Sequence, residues 1–377
     1  LLGRAGTVTP RSDRRVGRRG RAYAACVNRA VLRRRMKQVV ERAKGVSPLR
    51  EVRVTQLPYV VPGVARVVVA RRRLRRAPLG LDELAKRIPV SDMEEHGPCP
   101  LCAGEQVVLE HHPTRYEAGG DVSWTYHVGS CVDCGLLYRI PALEHDRVAD
   151  LYAGDEYAGS LEGGYAKNRR RRYRATMDAF APLFDDGSGR ALLDFGCGTG
   201  LFMELAQRRG FVAFGIDMAP TAVAVARDRF GHDRVFEGSA HELAAQTDRR
   251  FDVITMWSVL AHIPDPEEQI GALFEALEPG GALLILTVNA DSIQRYTFAG
   301  NWNGYTRGHL MFWSRSTVTA LLRRVGFERV EFSEFYGEGI ETDRSSLTPR
   351  QVRRYRNVVD RTHGGNMLRV LAHKAMP

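Results

Sequence analysis

Leu192-Leu193-Asp194-Phe195-Gly196-Cys197-Gly198-Thr199-Gly200 is the stretch that decides the fold. Four residues of a buried strand run into a glycine-rich turn, and a helix starts at once in Leu201-Phe202-Met203-Glu204-Leu205-Ala206. Glycines let a backbone approach a ligand closely, and a helix N-terminus offers unpaired N–H groups, so the unit reads as a nucleotide cradle. The next strand, Val212-Ala213-Phe214-Gly215-Ile216-Asp217, ends in a carboxylate placed to accept both hydroxyls of a ribose.

A dinucleotide fingerprint, G-x-G-x-x-G, would need glycine at position 201, and Leu201 stands there. The stretch 192–200, followed by Gly215-Ile216-Asp217-Met218-Ala219-Pro220, instead resembles the S-adenosylmethionine site of class I methyltransferases. The resemblance extends to the C-terminus. Strands at 191–195, 212–217, 234–236, 251–258 and 281–288 alternate with helices at 200–209, 220–230 and 266–278, which predicts an α/β, doubly wound, mostly parallel sheet. A helix near 315–325, a strand over 329–335, a helix near 349–361 and a strand over 367–373 follow. Seven strands with a late hairpin resemble the Rossmann-like methyltransferase sheet, whose last strand runs antiparallel.

That resemblance implies a cofactor site residue by residue. Gly196, Cys197, Gly198 and Gly200 would pack against the methionine and ribose portions, with Asp194 toward the amino group. Asp217 would take the ribose hydroxyls and Met218 would cover the adenine. Ser239 and Ala240, after the third strand, stand where the family holds the adenine amine, often with an acid. Met256 and Trp257 would reach the cofactor edge from the fourth strand, and Tyr165 would approach from the connector.

Two histidines are candidates for acid–base work. Ser258-Val259-Leu260-Ala261-His262-Ile263-Pro264-Asp265-Pro266 resembles the family's E-H-I-x-D-P loop, with Ala261 in the glutamate's place. His262 is either a packing or capping histidine or a base. Gly308-His309-Leu310-Met311-Phe312-Trp313-Ser314 resembles methyltransferases with an N-terminal zinc ribbon that act in sugar, polysaccharide or secondary-metabolite pathways. A neutral His309 could take a proton from a sugar hydroxyl or an acidic carbon. Alternatively it only fixes its loop.

Cys99-Pro100-Leu101-Cys102 and Cys131-Val132-Asp133-Cys134 hold four of the six cysteines. Two such knuckles suit a tetrahedral, structural Zn2+, and they predict a small ribbon over 96–140 with strands at 106–110 and 122–128. His111, His112 and His127 are alternative ligands. A connector over 141–189 carries a helix at 166–182, in which Tyr173, Met177 and Phe180 share one face. The arginines of 169–172 and Arg174 read as a solvated face or as a grip on an anionic acceptor.

The net charge of +11 is not spread evenly. Residues 1–90 hold 24 Lys and Arg against 5 Asp and Glu, net +19, and the rest of the chain is net −8. The basic segment, residues 1–92, reads as a poorly ordered extension, with Met93 as an alternative start, or as a basic arm for nucleic acid or an anionic membrane. The domains expected are therefore 1–92, 96–140, 141–189 and 190–377. No apolar run reaches the roughly 18 residues of a spanning helix, and the cysteine pairs suggest a cytoplasmic enzyme. The expected function is methyl transfer to a small carbohydrate-type or secondary-metabolite acceptor, including nucleotide-linked sugars. The ribbon would shape the acceptor pocket or a homodimer contact. An rRNA or tRNA methyltransferase with a ribbon that binds RNA is the alternative, opposed by the acidic balance of the catalytic part.

Overall fold

The computed structural model describes residues 97–111, 114–116, 122–141, 148, 152, 163–298, 302–335 and 364–376. All of them lie in one compact unit, Tyr59–Pro377. The expectations for residues 1–92 and for a helix over 349–361 fall outside the described residues.

The N-terminal strands are β1 (Val107–His111), β2 (Thr114–Tyr116), β3 (Val122–Thr125), β4 (His127–Cys131) and β5 (Leu137–Ile140). Then come α1 (Gly163–Ala179), α2 (Ala181–Phe184), β6 (Ala191–Phe195), α3 (Leu201–Gln207), β7 (Val212–Asp217), α4 (Pro220–Phe230), β8 (Val235–Glu237) and α5 (Ala240–Gln246). β9 (Phe251–Trp257) leads through a 3-10 turn, Leu260–His262, to α6 (Pro266–Ala276) and β10 (Leu277–Val288). The chain closes with α7 (Ile293–Phe298), β11 (Met311–Phe312), α8 (Arg315–Val325), β12 (Arg329–Phe335) and β13 (Met367–His373).

Seven strands form the main sheet in the order β12-β13-β10-β9-β6-β7-β8. β8, β7, β6, β9 and β10 pair in parallel, while β13 runs antiparallel to both β10 and β12. The expected doubly wound sheet, with its antiparallel last strand, is therefore present. All five residues of β6 are buried, as a strand covered on both faces requires. Leu193 and Phe195 join a cluster with Leu243 of α5, Ile270 and Leu273 of α6, and Leu321 of α8. Leu192 faces the opposite cluster, with Phe202 of α3, Val223 of α4, and Tyr173 and Met177 of α1. Chain order reverses between β6 and β9, so the ligand crevice opens at their C-terminal ends.

Tyr173, Phe202 and Trp257 form a buried aromatic group under that crevice, with ring centroids 4.5–5.3 Å apart. Each such contact adds about 1 kcal/mol beyond area burial, so α1 is anchored close to the glycine turn. The segment over 97–140 folds as an antiparallel sheet, β1-β4-β5, with β2 and β3 pairing separately. Its fourth strand is β11, more than 170 residues downstream, where Met311 pairs with Tyr138 and Phe312 with Leu137. Among the described residues, no helix is long and apolar enough to cross a membrane.

Candidate active site

The turn after β6 is built by left-handed glycines: φ is 75° at Gly196, 53° at Gly198 and 79° at Gly200, which caps α3. A Cβ at Gly196 would collide with Val259 Cγ2, so the floor of the crevice needs glycine there for space as well as for φ. Asp217 ends β7 beside this turn. Its Oδ2 accepts the Gly198 N–H at 2.7 Å and its Oδ1 accepts the Ala219 N–H at 2.9 Å. The Met218 backbone donates to the same carboxylate, and its remaining acceptor capacity faces the cavity, where a ribose hydroxyl could donate. Asp194 lies deeper, accepting from Thr255 Oγ1 at 2.8 Å, and burial pushes its carboxyl up to about 8. Burial raises Asp217 as well, opposed by its backbone donors.

A cavity of about 480 Å³ opens over this cradle and extends to the loops after β9 and β10. Its lining includes Gly196, Asp217, Met218, Ser239 and Trp257 of the cradle, together with His262, Trp302, His309 and Tyr152, the last packed against Ala219 and Ala222 at the start of α4. Arg169 and Arg172, one turn apart on α1, also line it. Trp257 Nε1, Thr287 Oγ1 and Trp302 Nε1 are buried there with no protein partner among the described residues. Buried N–H and O–H groups of this kind are normally satisfied, so they suit a polar ligand.

The two histidines meet edge to face, with ring centroids 4.5 Å apart. His309 Nδ1 lies 2.6 Å from the Gly304 carbonyl oxygen, and His262 Nδ1 lies 2.9 Å from that of Gly308. A carbonyl can only accept, so the His309 ring carries its proton on Nδ1. His262 meets the backbone of both Gly308 and Ser258, and Tyr152 Oη lies 2.6 Å from its Nδ1. Burial lowers His309 to about 4 and, with His309 beside it, lowers His262 to about 3. Both imidazoles are neutral at physiological pH, and the Nε2 lone pair of His309 is the basic atom it offers.

Among the expected cofactor residues, Gly196, Asp217, Met218 and Ser239 line the cavity, with Cys197, Gly198 and Gly200 forming the turn behind Gly196. Met256 does not line it: the side chain is fully buried in the cluster with Phe195, Leu260 and Ile263, on the opposite face of β9 from Trp257. Adjacent strand residues point to opposite faces, so only one of the two can reach a ligand. Ser239 is committed to capping α5, its N–H and Oγ–H both donating to Glu242, at 2.6 and 2.7 Å. The Ala240 N–H donates to Gln269 Oε1 at 2.8 Å, so that amide is taken too. Tyr165 falls in the first turn of α1, and its side chain lies outside the described residues. Of the arginines, Arg170 pairs with Glu204 at 3.0 Å, while Arg169 and Arg172 are the ones on the cavity.

Tyr152 and Gln269 were not singled out from the sequence. Tyr152 stands in a stretch of sequence with no periodicity to mark it. Ser239 carried a readable signal, since Ser-x-x-Glu before a helix is a capping box.

Cys99, Cys102, Cys131 and Cys134 come together with all sulfurs within 4.8 Å. Cys99 and Cys134 Sγ are 3.6 Å apart, Cys102 and Cys131 3.5 Å, and none forms a disulfide. A zinc–sulfur bond of about 2.3 Å in a tetrahedron implies a sulfur–sulfur edge of about 3.8 Å, so the set fits that ion. His127, on β4, is not part of the group, and His112 lies outside the described residues.

Residues 165–331 match the family model described as a methyltransferase domain. A ubiquinone biosynthesis O-methyltransferase of Aromatoleum aromaticum is 29% identical over 176 residues, covering 41% of this chain and 75% of that protein. Its counterpart in Pseudomonas fluorescens SBW25 is 35% identical over 116 residues, covering 30% of this chain and 50% of that protein. The chain spans about half the length of most of these curated relatives. A SAM-dependent methyltransferase from Archaeoglobus fulgidus aligns over 59% of this chain and 100% of its own, at 21% identity and a TM-score of 0.42. One from Thermotoga maritima covers 58% and 95%, at 18% identity and a TM-score of 0.41. Residues 165–331 are thus similar to a methyltransferase domain.

Proposed function

We propose that the chain methylates a small molecule, with His309 as the base that takes the acceptor's proton. The observation that carries this reading is that one cavity is lined both by the glycine turn with Asp217 and by the neutral histidine pair. When bound, S-adenosylmethionine supplies a methyl group already activated on a sulfonium, so the chain's task is alignment and exclusion of water. Asp217 would accept from a ribose hydroxyl, Gly196 would lie under the ligand, and Trp257 would close one side. Nδ1 of His309 is committed to Gly304, which leaves Nε2 to receive a proton. Tyr152 and the Gly308 carbonyl fix the His262 ring against it.

A base held near 4 is weak and can take a hydroxyl proton only as the arriving methyl group makes that proton acidic. A carbohydrate-type acceptor, linked to a nucleotide and methylated on a hydroxyl, is the reading we favour. Arg169 and Arg172 in the wall complement phosphate, and the ribbon and His309 segments carry the sugar-type resemblance. A phenolic hydroxyl is the second reading, favoured by relatives named for ubiquinone O-methylation. We further propose that the four cysteines hold one structural zinc ion. Burial pushes the Cys99 thiol up to about 11, so a cation is what would make that residue a thiolate at neutral pH.

The full chain, with methyl-labelled S-adenosylmethionine, is to be offered nucleotide sugars, simple catechols and total RNA in parallel. Label in the nucleotide-sugar fraction, lost in His309→Asn, is the expected result. Label in catechol moves the assignment to the second reading. Label in RNA, or transfer undiminished in His309→Asn, overturns the proposal.

A further inference from the structure

We infer that the four-cysteine module is a working part of the active site, in which Tyr126 and Arg139 hold the segment that carries His309. Metal on the cysteines would then govern methyl transfer through the placement of that imidazole, and leave the cofactor cradle untouched. The inference rests on the assignment of His309 as the base.

Residues 302–310 belong to no helix or strand, yet most of them are buried, so their backbone groups need partners. The partners come from two sides. On the catalytic side, the Gly304 carbonyl accepts from His309, that of Gly308 meets His262, and the Leu310 N–H donates to the Ala261 carbonyl at 2.7 Å. Three further carbonyls are held by the cysteine module. Tyr126 Oη donates to the Thr306 carbonyl at 2.9 Å, Arg139 Nη1 to that of Arg307 at 2.9 Å, and the Arg139 N–H to that of Leu310 at 2.8 Å. β11 then pairs with β5. His309 is thus gripped by the module three and two residues before it and one residue after it.

The two braces also support each other, the Arg139 guanidinium lying 4.7 Å from the centre of the Tyr126 ring. Beneath them Tyr126, Val128 and Leu137 share one buried cluster with Ala290, Trp302, Tyr305 and Phe312. Phe312 in turn packs its ring 6.0 Å from that of His309.

The link to the cysteines is the β4–β5 hairpin. Tyr126 directly precedes β4, and Arg139 lies on β5, where it faces Val128. The turn joining these strands is the Cys131–Cys134 knuckle, closed by Cys131 N–H to Leu136 O at 2.9 Å and Gly135 N–H to Cys131 O at 3.0 Å. A metal that ties this knuckle to Cys99 and Cys102 fixes the hairpin, and the hairpin fixes both braces. By contrast, among the described residues Gly196–Gly200 and Asp217 make no hydrogen bond to the module; their partners come from β7, α3, α4, Gly238 and the turn itself. The module meets β6 and β7 through apolar packing, Cys99, Leu101 and Leu136 sharing a cluster with Leu193, Phe195 and Ile216.

The test is amide hydrogen exchange, read by mass spectrometry on the full chain, with titration of S-adenosylhomocysteine alongside. Tyr126→Phe removes one hydroxyl and keeps the ring; Arg139→Ala removes the second brace, and Arg139→Lys restores a cation over Tyr126. Each of the first two variants, and the zinc-chelated wild type, should speed exchange over 302–312 by tenfold or more. Exchange over 191–217 should stay within twofold and S-adenosylhomocysteine affinity within threefold. Zinc added back alone, or Arg139→Lys, should recover most of the protection. Where an acceptor is in hand, kcat should fall while cofactor KM holds. Unchanged exchange over 302–312 overturns the inference, and so does equal loosening of 191–217, which would mean general destabilisation. Faster exchange at 302–312 together with full activity of His309→Asn keeps the mechanical coupling and removes the base assignment.

Discussion

Replacing His309 by Asn tests the burial of the histidine pair directly. The Asn side-chain amide can still donate to the Gly304 carbonyl but cannot titrate. In the native chain burial lowers His309 to about 4, against an ordinary value of about 6.5. The unfolded chain therefore binds the proton first, and native stability falls as pH drops from about 7 toward 4, then levels off. At pH 5 the unfolded side chain is almost fully protonated while the native one carries about a tenth of a proton, so wild type loses about 2 kcal/mol between pH 7 and pH 5 through this residue. The variant should lack that loss. Urea unfolding of both proteins at pH 7 and pH 5 measures it, since contributions from other groups, including Asp194 with its opposite sign, largely cancel in the comparison. His262 reinforces the effect, because part of its own depression comes from His309. Equal pH dependence in wild type and variant would refute the reasoning.

Asp217→Asn should weaken S-adenosylhomocysteine about 10- to 100-fold by calorimetry, the scale of a charged hydrogen bond lost to ribose; unchanged affinity would remove Asp217 from the cofactor site. Ser239→Ala should lower stability by about 1 kcal/mol, as loss of a helix cap does, and leave cofactor affinity alone. A tenfold affinity loss at constant stability would return Ser239 to the cofactor site. Elemental analysis should find about one zinc per chain in the wild type and little in Cys102→Ser; a metal-free wild type purified with zinc present would count against the four-cysteine site.

The parts legible in the sequence are those fixed by local covalent chemistry. Left-handed turns after β6 demand glycine, and an acid closing β7 follows from the spacing of one βαβ unit, so the cradle could be read without any knowledge of packing. The misreading of Met256 has an equally plain cause. β9 is apolar on both faces because the sheet is covered on both, and a strand without alternation does not say which residue of a neighbouring pair meets the cavity. Ser239 was given a ligand role through position in the unit, although Glu242 three residues on already offered a local partner.

The least legible feature is the union of the cysteine module with the His309 segment. β11 is two residues long, and no hydrophobic period marks a strand that short. Its pairing with β5 instead answers a tertiary demand. A largely buried loop needs donors for its carbonyls, and side chains of the neighbouring module must reach in to supply some of them. Tyr126 and Arg139 can, because each carries a polar tip on a body that packs against the apolar cluster below. A small module placed far upstream in the chain therefore packs behind His309. If His309 is the base as proposed, replacing Tyr126 or Arg139, which have no catalytic chemistry of their own, is expected to lower kcat.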